Sequence, residues 1–68
     1  MITIEGDVIN DLKEAADWLR KAWIYEPYNI WYEEFGDYKC INIEPNRGTT
    51  DTTCWYIFSL EEFEKFIK

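Results

Sequence analysis

The chain is predicted to fold as a small α+β domain of order β-α-β-β-β-α, with a mainly antiparallel sheet and both helices on one of its faces. Three observations predict this. Between Ile30 and Phe58, three short runs of aromatic and β-branched residues are separated by turn chemistry, which is the pattern of an antiparallel meander. One amphipathic stretch lies near each end of the chain, and each carries a single apolar stripe that must cover sheet to be buried. The 68 residues have room for one core, so residues 1–68 are taken as a single domain.

Residues 1–5 alternate apolar and polar, with Ile2 and Ile4 on one side, and read as the first strand. Gly6-Asp7 follows, and Asp7 is a good N-cap for a helix over Val8 to about Tyr25. Val8, Leu12, Ala15, Leu19 and Trp23, flanked by Ile9 and Ala16, recur at the three- and four-residue steps of a buried helix face. Pro27 disfavours helical geometry at Glu26 and ends the helix.

The second strand is the run Ile30 to Phe35, and Gly36-Asp37 is the turn of a hairpin. In the third strand, Tyr38 to Ile43, the period of two puts Ile41 and Ile43 inward with the stem of Lys39, and Tyr38, Cys40 and Asn42 on the other face. Glu44 to Thr53 holds Pro45, Asn46, Gly48 and several threonines, a long loop with nothing apolar to bury. Thr53 to Phe58 is the last strand, with Trp55 and Ile57 on one face and Cys54, Tyr56 and Phe58 on the other. Both faces are apolar, so it is expected at the centre of the sheet. Ser59 stands three residues before Glu62, the spacing of a capping box, and opens a helix whose stripe is Leu60, Phe63, Phe66 and Ile67. Glu61 with Lys65 and Glu64 with Lys68 are charge pairs in the favourable orientation.

Composition bounds the function. Fourteen acidic and seven basic residues give a net charge of −7, and histidine is absent. Direct binding to nucleic acid or to an anionic membrane would add repulsion where counterion release should supply attraction, so a basic protein is the natural partner. Aromatics make up 19% of the chain, more rings than so small a core can hide, and surplus Trp and Tyr mark contact surfaces. With both helices on one face, the other face would display Trp31 or Tyr32, Tyr38 and Tyr56, with Glu33 and Glu34 beside them. Such a face suits a partner protein or a homodimer. No charged-then-apolar leader and no apolar run long enough to cross a bilayer is present, and a cytoplasmic location is expected.

Catalysis and metal binding find little support. The missing histidine removes the usual general base for a Ser, Cys or Thr nucleophile, and Ser59 is already assigned to capping. Cys40 and Cys54, fourteen positions apart, are expected as two buried and unreactive thiols, with a disulfide between neighbouring strands as the alternative. A zinc site needs about four Cys or His ligands and only two exist. The carboxylate pairs Glu33-Glu34, Glu61-Glu62 and Asp7-Asp11 would need a cleft to separate their pKa values, which so short a chain can hardly enclose. The stretch from Asn46 to Thr50 lacks the context and the lysine of a phosphate-binding loop and reads as a turn, with Arg47 as a minor candidate for an anionic contact. No catalytic residue, cofactor or metal is therefore expected.

Winding the first helix at about 100° per residue brings Asp7, Asp11, Glu14, Trp18, Lys21 and Tyr25 into a second stripe. It reads as a solvated flank whose acids complement the helix dipole, or as a contact edge where Trp18 anchors and the acids steer. The partner-binding candidates are therefore Asp7, Asp11, Glu14, Trp18, Tyr25, Glu33 and Glu34. On the contact reading, Trp18→Ala with charge reversal at Asp11 and Glu14 should weaken binding and leave the melting temperature unchanged.

In size, net charge, absent histidine and abundant carboxylates the chain resembles the small acidic inhibitors of host defence carried by phages and mobile elements, of the anti-CRISPR and DNA-mimic type. The resemblance is one of profile and not of motif, so no family residue is carried over. It implies an inhibitor that blocks a basic, nucleic-acid-handling host target such as a CRISPR effector or other defence nuclease. Occlusion is expected rather than strict mimicry, because acids one helical turn apart rise about 5.4 Å against about 3.4 Å per phosphate along a strand. The alternative is an antitoxin, immunity protein or small adaptor that binds through an aromatic sheet face.

Overall fold

The computed structural model describes residues 1–22, 28–45 and 53–67. In chain order its elements are β1 (Ile2–Ile4), β2 (Asp7–Ile9), α1 (Leu12–Ala22), β3 (Tyr28–Phe35), β4 (Tyr38–Pro45), β5 (Trp55–Ile57) and α2 (Leu60–Ile67). The class is α+β, as expected, with one strand more than the sequence suggested. The strands form two antiparallel sheets, a β1-β2 hairpin and a three-stranded sheet of order β3-β4-β5.

The extra strand lies where the first helix was expected to begin. Glu5 and Gly6 both take left-handed backbone conformations, with φ of 50° and 86°, and Ile4 pairs with Asp7 across them. This is the φ pattern of a two-residue type I′ turn, whose twist matches the strands it joins. Asp7 is therefore the first residue of β2 and not a helix cap. Alternation puts Ile4 and Ile9 in the core and leaves Thr3 and Val8 exposed.

The cap of α1 is Asp11, whose Oδ1 accepts the backbone N–H of Glu14 at 2.8 Å, while Glu14 Oε1 accepts the backbone N–H of Asn10 at 3.1 Å. α2 begins in the same way. Ser59 Oγ accepts the N–H of Glu62 at 3.1 Å, and Glu62 Oε2 accepts the N–H of Phe58 at 3.0 Å. Both helices thus start on a short polar residue three positions before a glutamate, which satisfies N–H groups that the helix cannot. Leu12, Ala15, Ala16 and Leu19 are the buried face of α1. Trp23, Tyr25 and Pro27 lie outside the described residues, as do Arg47 with residues 46–52 of the expected loop, and Lys68 with its expected pairing to Glu64.

β3 and β4 form the expected hairpin, closed by Phe35 and Tyr38 across Gly36, whose φ is 57°. Ile30 and Ile57 align with Ile43 and Ile41, on the helix-bearing face. These four residues join Leu19 of α1 and Phe63 of α2 in one core cluster, so both helices cover the same face of the sheet. Tyr28, Tyr32, Trp55 and Phe66 rim that core, with Trp55 edge-on to Tyr28 at 5.5 Å and tilted against Phe66 at 5.8 Å.

The expectation that the last strand is central is overturned. Among the described residues β5 pairs only with Ile41–Ile43 of β4 and is an edge strand three residues long. β4 is the central strand, and its consecutive residues Cys40, Ile41, Asn42 and Ile43 are all buried. The last run is apolar on both sides for another reason: Trp55 and Ile57 face the core, whereas Tyr56 and Phe58 stand exposed on the opposite side.

The cysteines depart from expectation in one respect. Cys40 is buried but Cys54 is exposed, and neither forms a disulfide. In the observed register Trp55 lies opposite Ile43, and extending it by one residue puts Cys54 level with Glu44, four residues along β4 from Cys40. That is about 13 Å at strand rise, beyond the span of a disulfide.

Candidate functional site: the open face of the sheet

The acidic flank of α1 proves to be held by local structure. Asp11 and Glu14 are the two halves of the helix cap, and Glu14 also accepts the side-chain amide of Asn10 at 3.3 Å. Trp18 donates its indole N–H to Asp7 Oδ2 at 3.0 Å and stands edge-on to Phe63, ring centroids 6.1 Å apart. The indole thus ties the β1-β2 hairpin to both helices. Asp17 pairs with Arg20, which also donates to the carbonyl of Ile30 at 3.4 Å. A shallow cleft of about 380 Å³, lined by Asp7, Val8, Glu14, Asp17, Trp18 and Lys21 among others, runs between hairpin and helix. Because its acids cap and brace α1, the triple variant at Asp11, Glu14 and Trp18 would disturb the fold as well as any contact. Tyr25 lies outside the described residues.

Glu33 and Glu34, adjacent in sequence, point to opposite faces of β3. Glu34 stands on the helix side, where it accepts the Tyr32 hydroxyl at 2.9 Å and lies opposite Lys39 in the register. Partial burial, the Glu34 hydrogen bond and the negative charges of Glu34 and Asp11 raise the Tyr32 phenol above its usual range. Only Glu33 lies beside the displayed aromatics, and its Oε1 accepts the indole N–H of Trp31 at 3.1 Å.

The face of β3-β4-β5 turned away from the helices is built on the floor residues Cys40 and Asn42. Both are buried, although α1 and α2 lie on the other face. Asn42 lies between Trp31 and Tyr56 across the three strands, and Cys40 lies opposite Glu33. The side-chain amide of Asn42 donates to Cys40 Sγ at 3.7 Å, and no buried side-chain polar atom among the described residues is left without a partner. Around this floor stand the rings. Phe35 is 67% exposed, Tyr56 56%, and Tyr38 and Phe58 46% each. Tyr38 packs edge-on against Phe58 at 5.4 Å and 73°. Its phenol is raised above the usual range by a hydrogen bond with Cys40, by partial burial, and by the nearby Cys40, Glu33 and Tyr56.

Trp31, Tyr38 and Tyr56 thus lie where the sequence placed them, whereas Tyr32 faces the helices. Sequence reasoning missed Phe35 and Phe58 as members of the exposed set. The signal for Phe35 was present, since a two-residue turn at Gly36-Asp37 makes it the direct partner of Tyr38.

The charges are divided between the faces. Among the described residues, Lys13, Arg20 and Lys21 belong to α1, Lys65 to α2, and Lys39 to the helix side of β4. The open face carries Glu33 and Glu44 and, among the described residues, no basic side chain. Among the described residues no group of three or more Cys, Asp and Glu side chains could hold a metal ion, and no helix is long and apolar enough to cross a membrane. No protein-family model, curated protein or solved structure matches the chain.

Proposed function

We propose that this chain is a protein-binding inhibitor that occludes a cationic surface of its partner with the open face of its sheet. The observation that carries the reading is the composition of that face: five aromatic side chains and two carboxylates without a lysine or arginine among the described residues. Rings supply anchors that lose little conformational entropy on binding, and the net charge of −7 steers the encounter with a positive surface. The partner class is a basic, nucleic-acid-handling host protein, such as a CRISPR effector or other defence nuclease, met in the cytoplasm. The acids of the α1 flank contribute to the steering field and leave the anchoring to the sheet.

The exposure of Phe35 and Tyr56 favours a second reading, an antitoxin, immunity protein or adaptor whose affinity is carried by the rings alone. Ionic strength separates the two. With a partner captured on the tagged chain and identified by mass spectrometry, affinity that falls at least tenfold between 50 and 500 mM salt supports the occluding inhibitor. Affinity that changes less than about twofold favours the adaptor.

A further inference from the structure

We infer that Glu33 is the centre of an arginine socket, so that the partner's anchoring residue is an arginine inserted among the rings of the open face. The inference rests on the proposed use of that face and names the chemistry it recognises. Glu33 sits in β3 with Trp31 two residues before it and Phe35 two residues after it on the same face, each about 6.7 Å away along the strand. Tyr38, diagonal to it across the hairpin, adds a third ring.

The Trp31 indole holds Glu33 Oε1, which fixes the carboxylate and leaves its second oxygen for an incoming donor. Among the described residues no lysine or arginine lies within ion-pair distance of Glu33. A fixed, half-buried carboxylate among aromatic rings matches a side chain that is planar, cationic and a donor along its edge. Guanidinium has all three properties, whereas an ammonium group donates as a compact point charge and cannot stack. A second copy of the chain is the poorer match, because it would set against this face another that carries Glu33 and Glu44 and, among the described residues, no basic side chain.

The test uses the full chain with hexa-arginine and hexa-lysine peptides as probes, followed through the four indole N–H signals in ¹H–¹⁵N spectra. The socket predicts a saturable shift largest at Trp31, hexa-arginine binding at least about fivefold tighter than hexa-lysine, and an approximately tenfold loss in Glu33→Gln. Glu34→Gln, on the opposite face, should change affinity less than about twofold. Glu33→Asp, which withdraws the carboxylate by one methylene, serves if the glutamine variant does not fold, and the same loss is expected. Equal binding of the two peptides, shifts centred on Trp18 and the α1 acids, or indifference to both Glu33 variants would overturn the socket. So would sedimentation showing a dimer that Phe35→Ala dissolves. With a captured partner, binding lost in Phe35→Ala but kept in Glu33→Gln refutes the socket alone, whereas binding kept in both refutes the use of the face.

Discussion

The two faces of the three-stranded sheet bury the same strand by different means. On the helix side, Ile41 and Ile43 lie under Leu19 and Phe63, and the rings around them are tucked in as a rim. On the open side, Cys40 and Asn42 are also buried, and the rings on their neighbours in the sheet stay exposed. The covered face holds its residues through apolar burial beneath a second layer, whereas the open face sets a polar floor beside a canopy of exposed rings. The difference separates stability from recognition. A change under the helices should cost folding, and a change in the canopy should cost binding.

The largest expected effect tests the covered side. Phe63 is fully buried between Trp18 and the sheet, and Phe63→Ala should cost about 3–5 kcal/mol. A domain this small has a total stability near about 5 kcal/mol, so circular dichroism should show loss of the cooperative thermal transition. A melting temperature close to that of the parent would place the core elsewhere.

The two helix caps sharpen the same boundary, since both hold the cover in place. Asp11→Ala and Ser59→Ala should each destabilise by about 1 kcal/mol, or about 4–8 °C in melting temperature. Equal losses are expected because the two caps make the same pair of hydrogen bonds. A silent Asp11→Ala would remove the reason for starting α1 at Leu12.

A smaller gain is expected at the β1-β2 turn. Glu5 holds a φ of 50°, which asparagine tolerates better than glutamate, and Glu5→Asn should raise stability by about 0.5–1 kcal/mol in denaturant titration. A loss would mean that the Glu5 side chain contributes more than its backbone costs.

The finest test compares one tyrosine on each face by absorbance as pH rises. Tyr32 and Tyr38 should both ionise above the usual value of about 10. A folded-state pKa above the unfolded one leaves stability intact below about pH 10 and erodes it as pH climbs through the folded value. Glu34→Gln should bring Tyr32 down towards normal and leave Tyr38 in place, because Glu34 acts only on the helix side. Movement of both would mean that Glu34 acts through the sheet on the open face.

How much of this could be read from residues alone differs by region. The hairpin at Gly36-Asp37, the inward pair Ile41 and Ile43, and the Ser59 cap follow from short-range chemistry, and all three are present. The start of α1 did not follow, because Val8, Ile9 and Leu12 satisfy helical spacing while Ile2, Ile4 and Ile9 equally satisfy a hairpin. The deciding signal was the Asp11-to-Glu14 spacing, the same that identified Ser59 and Glu62. Glu5 in a left-handed turn has no such signature, since that position favours Gly or Asn. The site was legible as a class of residue more than as a place. Surplus rings and acids are visible in composition, but the division of Glu33 from Glu34, and of Trp31 from Tyr32, depends on register. The role of Trp18 as a brace to Asp7 depends on a strand that the sequence did not suggest.

The most direct test joins stability and binding in one variant. Phe35→Ala combined with Tyr56→Ala removes two exposed rings of the canopy. The melting temperature should move by less than about 8 °C, because each of the two surface changes costs about 0.5 kcal/mol or less. Affinity for the captured partner should fall at least about tenfold, as loss of anchoring rings requires. A double variant that melts early, or one that still binds its partner at full strength, would contradict the division of labour between the two faces.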